Sequence, residues 1–428
     1  MKYRKHLIFI ALTAWMGVAS AQDTVQMTLD SCLRYARTHN LQVQTAQLGS
    51  LSSEADLTGA KLRFLPTVSA SASKGWNWTG ETTSTTQYGL NGSLTLFSGL
   101  SNLRNLQQSR ISNDQSALKV QQTENSVDVQ IVQAYLTVLM NEEKLAYQQE
   151  VLETSHQQQL EGEVKYQVGR ILESDYMLLG ANYASAVSEI DNTRLTIEDN
   201  LNTLSDLLCM EKGVAVKVVP SADTLRASDR TVVLFDSVLA QAQRSMPDWQ
   251  ISEMNVDLAR LGVNLAQSAF MPTVSLNAGY GGQWMPGTGD GGSNTFSDNS
   301  SLSLGVSIPI LNRGSSYTQL RQSKISLQQA ELQHQQTQID LENELYELHL
   351  GTQQALNRYR ASEALSEAYR ASYEVYVLKY AEGAVTTVEM LQQQERYLSA
   401  LNDYLQNKYS YLLAEKQLDI YTGKEIKL

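Results

Sequence analysis

An α+β chain of two tandem halves, with four bilayer-length β-strands set among very long helices, is the fold class this sequence predicts. Three observations predict it. Phe64-Leu65-Pro66-Thr67-Val68-Ser69 returns as Phe270-Met271-Pro272-Thr273-Val274-Ser275, and Tyr166, Gly169 and Tyr183 return as Tyr380, Gly383 and Tyr397, so the chain repeats itself. Only 6 prolines occur in 428 residues, and none lies within 67–219 or 310–428, which leaves room for helices far longer than usual. Four segments alternate apolar and polar residues with period two, the pattern of strands with one apolar face.

The N-terminus carries the one basic cluster of the sequence that stands out: Lys2, Arg4 and Lys5 precede the apolar run 7–19 and Ala19-Ser20-Ala21. This reads as a cleaved secretory signal over 1–21. Residue 22 is Gln rather than Cys, so a lipoprotein anchor is not expected. Formal net charge is -12, and without a further Lys/Arg cluster the chain lacks the electrostatic footprint of a nucleic-acid binder. No later segment reaches the roughly 18–20 uninterrupted apolar residues of a membrane helix. The exported chain is therefore soluble outside the cytoplasm or crosses a membrane as β-strands.

The first repeat is expected over 22–220, with a helix, strands at about 66–78 and 87–97, a long helix at about 101–167, a turn at 169 and a helix at about 172–209. The second is expected over 221–428, with a helix at about 247–269, strands at about 272–284 and 300–310, a long helix at about 315–381, a turn at 383 and a helix at about 386–420. In 67–78 the apolar set Val68, Ala70, Ala72, Trp76 and Trp78 alternates with Ser69, Ser71, Ser73, Gly75 and Asn77. In 273–284 Val274, Leu276, Ala278, Tyr280 and Trp284 alternate with small polar residues. Trp76, Trp78 and Trp284 stand at strand ends, as an interfacial aromatic girdle requires, and the small polar faces suit a water-filled lumen. Two hairpins cannot enclose a sizeable core, and four strands cannot close a barrel. If they lie in a membrane, several chains must share one barrel, because lipid does not tolerate open sheet edges.

Each long helix carries two heptad series. In the second half these are Leu320, Leu327, Leu341 and Leu348, with His334 in step, and Ile325, Leu332, Ile339 and Tyr346. The first half repeats them with Ile111, Leu118, Val132, Leu139 and Ala146, and with Val120, Val127 and Ala134. Series offset by two residues lie on nearly opposite sides of a helix, so each helix expects an apolar neighbour on both flanks, as a stave does in a single-layer wall. Each run would extend about 100 Å if continuously helical. Gly169 and Gly383 stand where the staves must turn back.

This arrangement closely resembles the TolC family of outer-membrane channel proteins. The residues that carry the resemblance are the paired Pro-Thr-Val segments, Leu96-Phe97-Ser98-Gly99 and Ile310-Leu311-Asn312-Arg313-Gly314 at strand-to-helix transitions, and the paired turns Tyr166–Gly169 and Tyr380–Gly383. It covers about 27–424. The resemblance implies a homotrimer whose twelve strands form one outer-membrane β-barrel, continuous with a periplasmic α-helical barrel. It also implies the outer membrane of a Gram-negative bacterium, with lipid around the barrel. The partners implied are a periplasmic adaptor (membrane fusion) protein and an inner-membrane transporter of RND, MFS or ABC type. By the same resemblance Glu389 and Gln392 ring the pore entrance, of which only the first is acidic, and Tyr380 and Asp175 form the entrance latch. The basic residue that the family places two beyond the second glycine is Val385 here, which leaves Arg170 as a candidate substitute.

The function expected is that of a passive exit duct for small molecules such as drugs or bile salts. A duct for a type I protein secretion system is the alternative within the family, and a soluble periplasmic coiled-coil adaptor or scaffold is the alternative outside it. No catalytic or cofactor site is expected. His39, His156, His334 and His349 have no partners at metal-ligand spacing. Gly287-Thr288-Gly289-Asp290-Gly291-Gly292 matches a dinucleotide motif but neither follows a βαβ pattern nor opens a helix, and reads as a surface hairpin. Cys32 and Cys209 are the only cysteines; two unpaired thiols are preferred to a disulfide.

Overall fold

A computed structural model of the chain describes residues 24–78, 83–211, 215–219, 235–285, 287 and 294–424. The expected leader at 1–21, and the Gly287–Gly292 run apart from Gly287, fall outside these residues. The chain is mostly helical with a β-sheet portion. Its elements in order are β1 Thr24–Met27, α1 Leu29–His39, α2 Leu41–Leu62, β2 Thr67–Asn77, β3 Thr83–Ser98, α3 Ser101–Gln167, α4 Glu173–Leu207 and β4 Ala215–Val218, then α5 Phe235–Ser245, α6 Pro247–Ser268, β5 Thr273–Met285, β6 Thr295–Ser307, α7 Ser315–Ala381 and α8 Thr387–Tyr421.

The sheet order is β2-β3-β5-β6, antiparallel throughout. Cross-strand register puts the apolar residues on one face: Ala70 pairs with Leu90 and Leu90 with Tyr280, while Leu94 pairs with Leu276 and Leu276 with Leu304. The other face carries Ser, Asn and Gly, for example Ser71 opposite Gly89 and Asn91 opposite Gly279. Among the described residues nothing covers the apolar face, where Val68, Leu302 and Leu304 are all exposed. Two strands differ from the expected bounds. β3 begins at Thr83 because the threonine-rich run 83–86 continues the ladder, with Ser84 opposite Trp76 and Thr85 opposite Gly75. β6 starts at Thr295, opposite Met285, and stops at Ser307, two residues before Pro309, which has no N–H to donate.

Strands turn into staves through left-handed residues, Gly99 (φ 61) with Leu100 (φ 70) and Arg313 (φ 56) with Gly314 (φ 80). α3 and α7 then run for 67 residues each, about 100 Å. Near the sheet α2 packs on α3, α3 on α6 and α6 on α7; farther away α4 packs on α3, α3 on α8 and α8 on α7. Both storeys are single layers. α3 has neighbours on both flanks, as its two heptad series require. α7 does not: Leu341 is buried and Leu348 packs beside it, whereas Ile325, Leu332, Ile339 and Tyr346 are all exposed. At the opposite edge of the layer α2 shows the same condition, with Leu41, Leu48 and Leu62 exposed at heptad spacing.

Further elements pack against the middle of the wall. β1 and β4 pair in parallel, Thr24 with Ala215 through Met27 with Val218, and join α1 against α3. Tyr135 Oη donates to the Val219 carbonyl at 2.7 Å. Asn40 separates α1 from α2 and caps the latter, its Oδ1 accepting from Gln42 N–H (2.8 Å) while its Nδ2 donates to the Leu207 carbonyl (2.8 Å). α5 packs by Val238 and Ala242 on Leu341 and Leu345 of α7. Both cysteines are free: Cys32 is fully buried in this core, which pushes its thiol up to about 12, and Cys209 is half-buried. Among the described residues no helix is long and apolar enough to cross a membrane.

Candidate functional site

The two staves end alike because glycine permits the left-handed residue that each turn needs. Gly169 (φ 72) and Gly383 (φ 76) let Arg170 N–H reach the Lys165 carbonyl and Ala384 N–H reach the Lys379 carbonyl, both at 2.8 Å. α4 and α8 return from these turns. α8 starts with a capping box: Thr386 Oγ1 accepts from Glu389 N–H (3.3 Å), and the Glu389 carboxylate accepts from Thr386 N–H (2.8 Å) and Oγ1 (2.9 Å). The Thr386 N–H, and then its hydroxyl, hold the Glu389 carboxyl below its ordinary range. Glu389 and Gln392 are both exposed and stand one turn apart on the same side of α8.

Tyr380 is buried at 4% exposure with Leu179 and Met390, and Val385, in the place of the expected base, packs against this cluster. The Tyr380 hydroxyl makes no hydrogen bond, although Thr387 lies beside it. Burial, foremost, raises its pKa; the charge of Asp175, half-buried in the first turn of α4, adds to the shift. No hydrogen bond joins Tyr380 to Asp175. Arg170 is exposed and forms no ion pair among the described residues. The cation that reaches the tip is Lys165: its Nζ lies 4.1 Å from the Tyr380 ring centroid and donates to the Tyr380 carbonyl at 3.3 Å, tying the first turn to the second. Its position four before Gly169, matched by Lys379 four before Gly383, was visible in the repeat, but the contact between turns was not. Behind the tip, Asn182 Nδ2 bridges Ser155 Oγ (3.1 Å) and Gln394 Oε1 (3.2 Å), fixing α4 and α8 to α3.

At the other end, Trp76, Trp78 and Trp284 are all exposed and lie beside the hairpin ends of the sheet. The foot of the sheet has Phe64, Phe97 and Phe270, also exposed. Below it the chain changes character. Segments 57–66, 96–113, 258–272 and 308–330 contain no Asp or Glu, although the chain has 45 acidic residues against 33 basic. They do contain Lys61, Arg63, Arg104 and Arg110, followed by Arg260, Arg313, Arg321 and Lys324.

The histidines of α7 serve in helix packing. His334 Nδ1 pairs with Ser252 Oγ at 2.8 Å, and His349 packs against Phe235 with centroids 5.8 Å apart. Among the described residues no three His, Cys, Asp or Glu side chains gather into a metal site.

A family model described as outer membrane efflux protein matches residues 33–209 and 238–424. The outer membrane efflux protein BepC of Brucella suis biovar 1 is 22% identical over 332 residues, 77% of this chain and 70% of that protein. The CmeC outer membrane channel of Campylobacter jejuni superposes with a TM-score of 0.71 at 21% identity, covering 92% of this chain and 85% of its own. The outer membrane protein VceC of Vibrio cholerae does so with a TM-score of 0.75 at 16% identity, covering 93% and 97%. At such identities the two solved structures establish a common fold.

Proposed function

Because this chain belongs to the outer membrane efflux protein family, a family of channels rather than enzymes that sits in the outer membrane and reaches across the periplasm, we propose that it is the exit duct of a tripartite efflux pump. It passes small molecules passively; the energy comes from its partners. Those partners are a periplasmic adaptor and an inner-membrane transporter of RND, MFS or ABC type.

The observation that carries this reading is the pair of bare edges. β2 and α2 form one flank of the wall and β6 and α7 the other, and each ends in an unpaired strand and an exposed apolar seam. Edges of different composition pair head to tail, and such pairing closes a ring when the rotation from copy to copy divides a full turn. A ring of three chains gives twelve strands, with the exposed apolar face toward lipid and the Ser, Asn and Gly face toward a wet bore. At the far tip Glu389 and Gln392 ring the entrance. Tyr380, whose buried hydroxyl lacks an acceptor, latches to Asp175 when the entrance tightens.

Purified protein in planar bilayers tests the proposal. Stepwise, cation-preferring conductance from a trimer identified by light scattering is expected. A monodisperse monomer, or a trimer that never conducts, would overturn it.

A further inference from the structure

We propose that the acid-free band below the sheet is a docking surface for anionic phospholipid headgroups in the leaflet that faces the helices. The proposal rests on the reading of the sheet as bilayer-spanning.

Two layers of side chains follow each other at this level. The first is apolar and open: Ile310 is 93% and Leu311 91% exposed, and Phe64, Leu65 and Phe97 are exposed at the same end of the sheet. Those that a neighbouring copy leaves uncovered need hydrocarbon. The second is cationic: Lys61, Arg63, Arg110, Arg313, Arg321 and Lys324 are all exposed, and none forms an ion pair among the described residues. In a chain with more carboxylates than cations, this lack of partners within the chain leaves the charge of the band available to anions from outside. Arg110 lies seven residues beyond Leu103, an exposed apolar residue, hence about 10 Å farther along the stave. The headgroup zone is about 5–8 Å deep, and the long stems of Arg and Lys let their charges rise toward it.

Heptad register places three of these cations on the outside. α1, β1 and β4 pack on α3 and α5 packs on α7, and a duct must carry elements laid on its wall outside to keep its bore clear. Ile131, buried in the cluster that α1 and β4 form on α3, is three heptads from Arg110. Leu345, buried under α5, is three heptads from Lys324, and His349, packed on Phe235, is four from Arg321. In supercoiled staves heptad positions keep one face. Beside Arg110 a groove of about 430 Å3 opens between α3 and α6, lined by Arg104 and Arg260 as well; of its carboxylates and cations only Asp257 and Arg260 pair, at 2.7 Å. Basic clusters beside a membrane-spanning segment attract anionic lipid over zwitterionic lipid.

The test uses full-length protein in nanodiscs of equal phosphatidylglycerol and phosphatidylethanolamine, with the lipid retained after detergent extraction counted by native mass spectrometry. Several-fold enrichment of phosphatidylglycerol is expected, falling to near parity in the Arg110→Gln/Arg321→Gln/Lys324→Gln variant and, for the native chain, in high salt. Parity in the native chain, or enrichment that survives the triple substitution, would overturn the inference. So would a triple variant whose main change is the ion selectivity of its conductance, because the cations would then line the bore. Native protein that inserts and conducts but shows no enrichment sinks this inference alone; protein that never enters bilayers sinks the duct reading with it.

Discussion

Leu332 is the sharpest probe of how copies of this chain meet. It lies on α7 in the bare heptad series with Ile325, Ile339 and Tyr346, and 66% of it is exposed in the single chain. Full burial of a leucine side chain contributes about 1.5–3 kcal/mol, so covering the exposed two-thirds is worth roughly 1–2 kcal/mol per seam. A closed trimer has three such seams. Leu332→Ala is therefore expected to weaken assembly by about 3–6 kcal/mol in total, a rise of roughly 10²–10⁴-fold in the dissociation constant. Mass photometry on a dilution series in detergent reads this directly. Leu118→Ala is the control: Leu118 lies on α3, which is flanked on both sides within the chain, so its loss should lower the unfolding temperature while leaving the dilution midpoint in place. If Leu332→Ala dissociates at the native concentration, the α7 seam is not the contact between copies, and the ring argument fails with it.

Glu389→Gln keeps a residue that can complete the capping box but removes the charge, so α8 should hold while cation selectivity and blockade by multivalent cations fall; single-channel recordings with both unchanged would reject the ring. Tyr380→Phe is expected to raise resting conductance by deleting the latch donor, and an unchanged baseline would mean that the hydroxyl does not latch. Asp128, 2% exposed, accepts from Arg37 at 2.7 Å but has an unpartnered Oδ1; burial, opposed by Arg37, leaves its pKa raised, with Glu124 nearby shifted the same way. The folded chain thus holds this proton more tightly than the unfolded one, so Asp128 favours folding below the ordinary carboxylate range, and that contribution is lost as pH rises through the folded pKa. Calorimetry from about pH 4 to pH 7 should show a flatter profile for Asp128→Asn, and an unaltered slope would remove Asp128 from the account. Hydrogen exchange should be faster around 160–180 than around 127–139, and the reverse order would contradict the packing argument made below.

The parts of the fold legible in the sequence are those with a period. Alternation from Val68 to Trp78 marks β2, and the absence of proline with the two glycines marks the staves and their turns. The heptads of α7 also showed two seams; which one remains bare depends on α6 sitting against Leu320, Leu327 and His334 rather than against the other series. β1 and β4 gave no such signal. They are four residues each, too short for periodicity, and they pair across some 190 residues of chain where α3 and α4 meet them. At the tip, Thr386-Thr387-Val388-Glu389 carried a readable capping signature. The Lys165 clasp did not, because it joins residues 215 apart whose meeting depends on how two turns pack. The acid-free band was countable in the sequence, but its meaning depends on four separate segments arriving at one level, which only the sheet topology brings about.

Burial along the wall also says where an entrance can move. Between 127 and 139 α3 buries Val127, Ile131, Val132, Tyr135, Leu136, Val138 and Leu139 under α1, β4 and α8, in a cluster that also takes in α4 and α7. The tip holds a cluster of only Leu179, Tyr380 and Met390, with one buried hydroxyl unpartnered. Local opening follows the number of buried apolar contacts that must be broken, so the middle resists it far more than the tip. Staves clamped at mid-height and lightly packed at their ends can splay there without unpacking the wall. Polar contacts that oppose splaying within one chain include the Lys165 amine on Tyr380, the Asn182 bridge between Ser155 and Gln394, and the Gln158 amide on the Tyr373 hydroxyl. A change at any of them should therefore alter the entrance before it alters the stability of the duct.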